Sequence, residues 1–218
     1  MFILYEYNSN VILDKPLKTL QALEINNTWY KTHLQLRHKG FAPKPHVLDN
    51  EYSLEMKKAF SKYDVAFQLV PPHVHRRNDV ERAIQTWKNH FCAGLATCNP
   101  KPPLAEWNLL MPQAEITLNL LRSSRGYQNL SAYNCLHCTF HYLSTPLCPP
   151  GTRIIAYITP SQHTNMAHHG IDGWYVGPSM DHYHYHKCYI PTTSRCWDVL
   201  TIDWFLHTVP FHTFTSDK

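Results

Sequence analysis

Glycine is scarce in these 218 residues, with only seven, charged side chains make up just 17%, and no run of 18 apolar residues occurs. The scarcity of glycine excludes a collagen-like or glycine-rich low-complexity chain, and the lack of a long apolar run excludes a membrane-spanning helix. A soluble protein is expected. The apolar opening Met1-Phe2-Ile3-Leu4-Tyr5 has no basic stretch before it and meets Glu6 at once, which excludes a secretory signal. Seven cysteines are an odd number and too sparse for a disulfide scaffold, which favours reduced thiols inside a cell. What is present is a 44% hydrophobic content, enough to bury the core of one medium domain or two small ones.

Charge and histidine are unevenly spread. Residues 1 to 150 hold sixteen Lys and Arg against eleven Asp and Glu, while residues 151 to 218 hold four against five, so a polyanion meets mainly the first part. Ten of the sixteen histidines follow Asn134, and the C-terminal part therefore gains charge as pH falls. Four of the seven glycines lie in the last 68 residues. These shifts put a boundary between about 123 and 147.

The first part reads as alternating strands and helices. Met1 to Tyr7 and Val11 to Leu13 flank the polar break Asn8-Ser9-Asn10, the pattern of two short strands and a tight turn. A chain that begins inside a strand suggests a missing upstream segment. Leu20, Leu23, Trp29, Leu34 and Leu36 place an amphipathic helix over 19–39, with Gly40 as its stop and Pro43 and Pro45 forbidding continuation. His46-Val47-Leu48-Asp49 reads as a buried strand ending in a carboxylate, followed by a helix with Ser53 as its N-cap. Val65 to Val70 is another strand. A loop opened by Pro71-Pro72 leads into a long helix over 79–96, and a further helix is expected over 104–121. The order is that of an α/β domain.

After residue 147 the period becomes two. Arg153 to Ile158, Gly173 to Val176, Tyr183 to Ile190 and Val199 to Phe205 read as strands of a small all-β barrel or sandwich.

Asp49 stands at the end of a buried strand and Glu81 opens a helix 32 positions later. Strand C-termini are where ligands collect in open α/β sheets, and an acid there suits a divalent cation. Taken singly, Asp49 is equally a loop residue and Glu81 equally a favourable charge at a helix N-terminus. The surrounding segments add to this. His46-Val47-Leu48-Asp49-Asn50-Glu51, Phe67-Gln68-Leu69-Val70-Pro71-Pro72-His73 and Asn78-Asp79-Val80-Glu81-Arg82-Ala83 resemble, in order, the catalytic core of retroviral and copia-type retrotransposon integrases. The resemblance covers about residues 1 to 122. It implies an RNase H-like α/β core in which Asp49 and Glu81 are catalytic metal ligands, two of an Asp-Asp-Glu triad that holds Mg²⁺ or Mn²⁺ for DNA strand transfer. Arg76, Arg77, Asn78, Arg82, Gln85 and Lys88 are then the nucleic-acid contacts, with Gln85 and Lys88 four and seven positions after Glu81 on its helical face.

Pro149-Pro150-Gly151-Thr152-Arg153-Ile154, the stretch Gly170-Ile171-Asp172-Gly173-Trp174-Tyr175-Val176-Gly177, Tyr189-Ile190-Pro191 and Asp203-Trp204-Phe205 resemble the SH3-like barrel that follows the integrase core in retroelement polyproteins. The implied organisation is a truncated core over 1–122, a linker over 123–146, the barrel over 147–210 and a tail over 211–218. No residue matches the family's first Asp, which lies on a strand upstream of the opening hairpin; Glu6 and Asp14 are poor substitutes. The implied function is DNA integration, with DNA as partner, a possible homo-oligomer, no membrane, a nuclear or cytoplasmic site, and little catalysis by this chain alone. The alternatives are a non-catalytic DNA-binding module or a protein-interaction role through the β unit.

Three further constellations stand apart. Cys135, His137, Cys138 and His141, with Cys148 near in sequence, have zinc-ligand spacing but lack a second half-site, and a reduced linker is the simpler expectation. His182, His184 and His186 alternate as if on one strand face, with Tyr183 and Tyr185 turned inwards, but are spread too far along a strand to grip one ion. Trp29, Trp87 and Trp107 fall on helix faces expected to be core.

Overall fold

The computed structural model describes residues 1–41, 46–48, 53–69, 79–98, 104–157 and 169–205. The chain divides into two compact units, Met1–Cys92 with Met111–His141, and Ala93–Leu110 with Tyr142–Lys218.

The first unit opens on the expected hairpin. Strands β1 (Phe2–Glu6) and β2 (Val11–Lys15) pair antiparallel, with Phe2 opposite Lys15 and Glu6 opposite Val11. In the turn, Asn10 takes φ 62°, a left-handed conformation that Asn tolerates better than most residues. The Glu6 carboxylate accepts the N–H groups of Ser9 at 2.6 Å and Asn8 at 3.2 Å.

Val11 to Asp14 of β2 are buried, so both edges of the strand need hydrogen-bond partners away from water. β1 serves one edge. The other is served by side chains of helix α4 (Met111–Leu121). Asn119 Oδ1 accepts the Ile12 N–H at 3.0 Å, and Asn119 Nδ2 donates to Ile12 O at 2.8 Å. One turn earlier Glu115 Oε2 accepts the Asp14 N–H at 2.8 Å. Residues four apart on one helical face thus take the place of a neighbouring strand.

Helix α1 (Ala22–His38) buries Trp29, Thr32, His33 and Leu36, one stripe at helical spacing. It starts later than expected, so that Leu20 lies ahead of it, and both Leu20 and Leu23 of its first turn are exposed. It ends at Gly40, φ 85°, where the Gly40 N–H donates to Arg37 O at 3.0 Å and the Phe41 N–H to Leu36 O at 3.0 Å. That is the Schellman arrangement, completed by Phe41 packing in one cluster with Leu36. Helix α2 (Leu54–Lys62) starts as expected, with Ser53 Oγ accepting the Met56 N–H at 3.2 Å.

Strands β3 (His46–Leu48) and β4 (Phe67–Leu69) form a parallel pair with His46 opposite Phe67. Among the described residues the two pairs are separate sheets, not the single mixed sheet expected of the core. Trp29, Met56, Phe60 and Val65 form the core beside β3 and β4, with Leu48 and Phe67 packed on it.

Helix α3 (Asp79–Ala96) buries Ala83, Trp87 and Phe91, four residues apart, and the rings of Trp87 and Phe91 stack at 4.8 Å. The single helix expected over 104–121 is instead a 3₁₀ stretch, Leu104–Leu110, followed by α4. Pro112 sits in the first turn of α4, where a missing N–H costs nothing. Trp107 is 40% exposed, which corrects its expected core role, and Leu121 also faces solvent. The expected linker contains helix α5 (Ala132–Leu136), capped by Ser131 Oγ on the Asn134 N–H at 3.1 Å. Ala132 and Leu136 pack with Val11, Leu13 and Leu36, so this stretch belongs to the core.

The second unit is a five-stranded antiparallel sheet. Its strands are β5 (Arg153–Tyr157), β6 (Gly170–Pro178), β7 (His186–Ile190), β8 (Arg195–Val199) and β9 (Ile202–Phe205). Their order is β8-β7-β6-β5-β9, a meander whose last strand returns to the first. Among the described residues β8 and β9 do not pair to close a barrel. Ile154, Ala156, Tyr175, Cys188, Ile190 and Val199 form the core, with Trp204 packed on it. Two expected strands are corrected. Tyr183 and His184 form a turn in which His184 takes φ 61°, and the stretch expected over 199–205 is two strands, β8 and β9, divided after Val199.

Two predictions follow from this packing. Asn119→Ala leaves the buried N–H and C=O of Ile12 without partners, at about 1–3 kcal/mol per orphaned group; urea unfolding should show the loss, and an unchanged midpoint would mean that water replaces the amide. A Cβ at Gly173 would lie 2.8 Å from Ile190 Cδ1 and 3.0 Å from Tyr189 O. Gly173→Val should therefore destabilise the second unit by about 1–3 kcal/mol through overpacking, read as earlier amide exchange in β6 and β7.

Candidate functional site

Within the first unit, β1, β3 and the N-terminal turn of α3 line one cavity of about 1050 Å³. Phe2 to Glu6 form one wall, and His46, Val47 and Leu48 lie on another with Trp29 and Met56 beside them. Asp79, Val80, Glu81 and Ile84 of α3 complete the lining. Asp49 itself, with Arg76, Arg77 and Asn78, lies outside the described residues. The cavity nevertheless unites Glu81 with Leu48, the residue immediately before Asp49.

The acids lining this cavity, and Asp14 on the neighbouring strand β2, differ in their surroundings. Glu6 is committed to the hairpin turn through Ser9 and Asn8. Asp79 is paired with Arg82 across one helical turn. Glu81 is half-buried at the start of α3. Asp14, on β2, is 3% exposed and accepts a hydrogen bond from Trp87 Nε1. Burial, reinforced by the neighbouring Glu115 carboxylate, pushes the Asp14 carboxyl up to about 8 against the opposing pull of Lys15. A carboxyl that stays protonated near neutral pH is a weak metal ligand, which removes Asp14 as a stand-in for a missing metal acid. Among the described residues no three His, Cys, Asp or Glu gather to hold a metal ion. The described donors therefore do not complete a site for Mg²⁺ or Mn²⁺.

The helix-borne polar residues expected to meet nucleic acid face solvent. Arg82, Gln85 and Lys88 are exposed on α3, and Gln85 Nε2 donates to Asn89 Oδ1 at 2.8 Å. Two further basic features went unread in the sequence. Lys57, Lys58 and Lys62 are exposed on α2, which buries Met56 and Phe60 instead; their spacing of one helical turn was the available signal. Beside the cavity, the Arg125 guanidinium lies 4.1 Å from the Tyr7 ring centre and 5.7 Å from that of Tyr5. This pairing brings together residues 118 or more positions apart and left no local trace in the sequence.

No family model matches the chain, and no curated protein matches it. Among solved structures, a chain of the cryo-EM structure of a simian T-cell lymphotropic virus intasome in complex with PP2A regulatory subunit B56 gamma is similar at 14% identity, with a TM-score of 0.46. The match covers 95% of this chain and 75% of that one.

The competing constellations resolve as follows. Cys135, Cys138 and His141 are not brought together as a metal cluster, and His137 stacks on Tyr133 with ring centres 4.7 Å apart. The three alternating histidines do not share a strand face, because only His186 is on a strand. It is buried against Trp204 and Tyr175, with ring centres at 5.1 and 5.8 Å, while His182 and Tyr183 are exposed. Trp29 is buried beside His33 and His46, with ring centres 5.2 and 5.9 Å from theirs. Burial, and then the neighbouring His33, lowers His46 to about 4.

These shifts set the pH dependence of the first unit. Asp14 has its folded value raised above the unfolded value of about 3.9, so its contribution is present at low pH and is lost as pH rises through about 8. His46 has its folded value lowered from about 6.5, so its contribution is present above 6.5 and lost as pH falls towards about 4. The two dependences oppose each other between about pH 4 and 6.5, so stability should be level there and decline from 6.5 to about 8 by up to about 1.4 kcal/mol per pH unit. Asp14→Asn should flatten that decline. Urea midpoints at pH 6.5, 7.5 and 8.5 check this, and a parallel decline in both proteins would remove Asp14 as the cause.

Proposed function

We propose that the chain is a DNA-binding protein of integrase type, from the DNA-integration machinery of a copia-type retroelement. In this reading the first unit is an RNase H-like core and the second an SH3-like module. The observation that carries it is the cavity shared by Glu81, at the start of α3, and β3, which leads directly into Asp49. Strand–carboxylate and helix–carboxylate meeting at one site is the arrangement that a two-metal phosphoryl-transfer centre needs. The sheet order β8-β7-β6-β5-β9, in which the last strand pairs with the first, supports the SH3-like assignment.

Asp49 and Glu81 are the proposed metal-binding pair, and on their own they hold Mg²⁺ or Mn²⁺ weakly. DNA binding then rests on phosphate contacts. Arg82, Gln85 and Lys88 on α3, together with Arg76, Arg77 and Asn78, form the proposed nucleic-acid contact, and Lys57, Lys58 and Lys62 extend it. Such contacts are sequence-independent and salt-sensitive.

The test is fluorescence anisotropy with labelled duplex DNA across a salt series. Affinity should fall steeply with salt, and Lys88→Ala should weaken binding alike on unrelated sequences and flatten the salt slope by about 0.9. Binding that ignores salt would overturn the proposal. With Mg²⁺ or Mn²⁺ present, Asp49 and Glu81 alone should join no DNA ends; strand transfer that disappears in Glu81→Gln would show that the centre is complete.

A further inference from the structure

The hairpin turn of the first unit is bound to the stretch that follows α4. Asn8 O accepts the N–H of Arg125 at 3.1 Å, that of Gly126 at 2.8 Å and the Ser124 hydroxyl at 3.3 Å. Ser124 Oγ in turn accepts the Tyr127 N–H at 3.1 Å. On the hairpin side, Tyr5 donates its hydroxyl to Asn10 Oδ1 at 3.0 Å. These bonds fix both sides of a small ledge, in which the Arg125 guanidinium lies 4.1 Å from the Tyr7 ring centre and 5.7 Å from that of Tyr5. Tyr7 and Tyr127 are 55% and 68% exposed, and Tyr127 lines the same cavity as Tyr5 and Tyr7. Among the described residues no carboxylate is paired with Arg125. The acids beside these tyrosines are engaged elsewhere, Glu6 by Ser9 and Asp79 by Arg82.

We propose that this ledge binds single-stranded DNA through its unpaired bases. Exposed aromatic rings gathered around a guanidinium without a carboxylate leave apolar area in water and a charge unmatched, and a nucleotide answers both. The guanidinium is planar. With one face towards Tyr7 it keeps the other for a base and its N–H edge for phosphate oxygens, and Tyr127 offers a further ring. Such stacking needs bases whose faces are free, whereas duplex DNA keeps its base faces against one another and meets a protein mainly through phosphates. Nothing in the ledge reads a base edge, so binding tolerates sequence, and thymidylates suit it because pyrimidines give up little stacking of their own. The ledge uses no contact of α2 or α3 and no metal ion. It therefore goes beyond the duplex-binding reading and stands or falls apart from it.

The probe is a fluorescein-labelled oligothymidylate of eight nucleotides, followed by anisotropy with the full chain at fixed low salt, beside a labelled blunt duplex of mixed sequence. Saturable binding of the single strand is expected. Tyr7→Ala and Arg125→Lys, the second of which keeps the charge and loses the planar face, should each weaken it about tenfold, while Tyr7→Phe, which keeps the ring, should stay within about twofold. Duplex affinity should change by less than about twofold in all three. Unchanged urea midpoints check that the variants fold; should Tyr7→Ala not fold, Arg125→Lys decides alone. A chain that binds no duplex but still loses the single strand in these variants would overturn the duplex reading and support this one. No saturable binding up to about 100 µM, or an Arg125→Lys protein that binds the single strand like the unaltered chain, would overturn the proposal. An equal loss on single strand and duplex would also overturn it, because Arg125 would then be an ordinary phosphate contact. So would displacement of the oligothymidylate by an equal concentration of oligoglutamate, because an acidic peptide would then be the occupant.

Discussion

The buried backbone of β2 is the constraint from which much of the first unit follows. A strand with Val11 to Asp14 out of water must satisfy polar groups on both edges, and leaving even one amide unpaired would offset much of the gain from burying a side chain. Asn119 and Glu115 meet that need from α4, which fixes the rotation of the helix about its own axis. With that rotation set, Arg122 falls one turn on and donates to Asn10 O at 2.9 Å, tying the hairpin turn to the end of α4. The same choice brings the Glu115 carboxylate beside Asp14, and Asp14 then keeps its proton and receives Trp87 from α3. One backbone requirement thus orients two helices and removes one acid from chemistry.

Much of this was legible in the sequence where the signal was local. Gly40 as a helix stop, Ser53 as an N-cap and the hairpin break at Asn8-Ser9-Asn10 each act through bonds spanning a few residues, and each is found where its chemistry places it. Features that depend on distant partners were not legible. Residues 123–146 carry turn-forming residues that resemble a linker, yet Ala132 and Leu136 are buried because Val11 and Leu36 lie beside them. Trp107 has the pattern of a core residue but follows Glu106, whose non-helical φ −100° and ψ 23° interrupt the helix, and it is left exposed. The run from His182 to His186 has perfect alternation, but alternation requires extended backbone, and His184 with its positive φ breaks it.

The candidate site divides in the same way. The helix carrying Glu81 was readable because residues 83, 87 and 91 repeat at helical spacing, which by geometry turns Arg82, Gln85 and Lys88 towards solvent. The cavity was not readable. It exists because two separate strand pairs, distant in sequence, stand with a gap between them. In the second unit the important contact is likewise long-range: Gly173 is required not by a turn but by the close approach of Ile190 and Tyr189, which belong to a different strand.

An open strand edge is itself informative. Exposed edges invite pairing with other chains, and proteins blunt them with charge, proline, bulges or a covering element. The outer edge of β2 is covered in that way, by Asn119 and Glu115 of α4. β1, with the sequence Phe-Ile-Leu-Tyr-Glu, has none of these protections along its length; its one acid is turned back into the hairpin. β3 is equally bare. Within one hairpin, then, the edge that is wholly buried is the one closed by α4, because there an unpaired amide or carbonyl has no water to turn to.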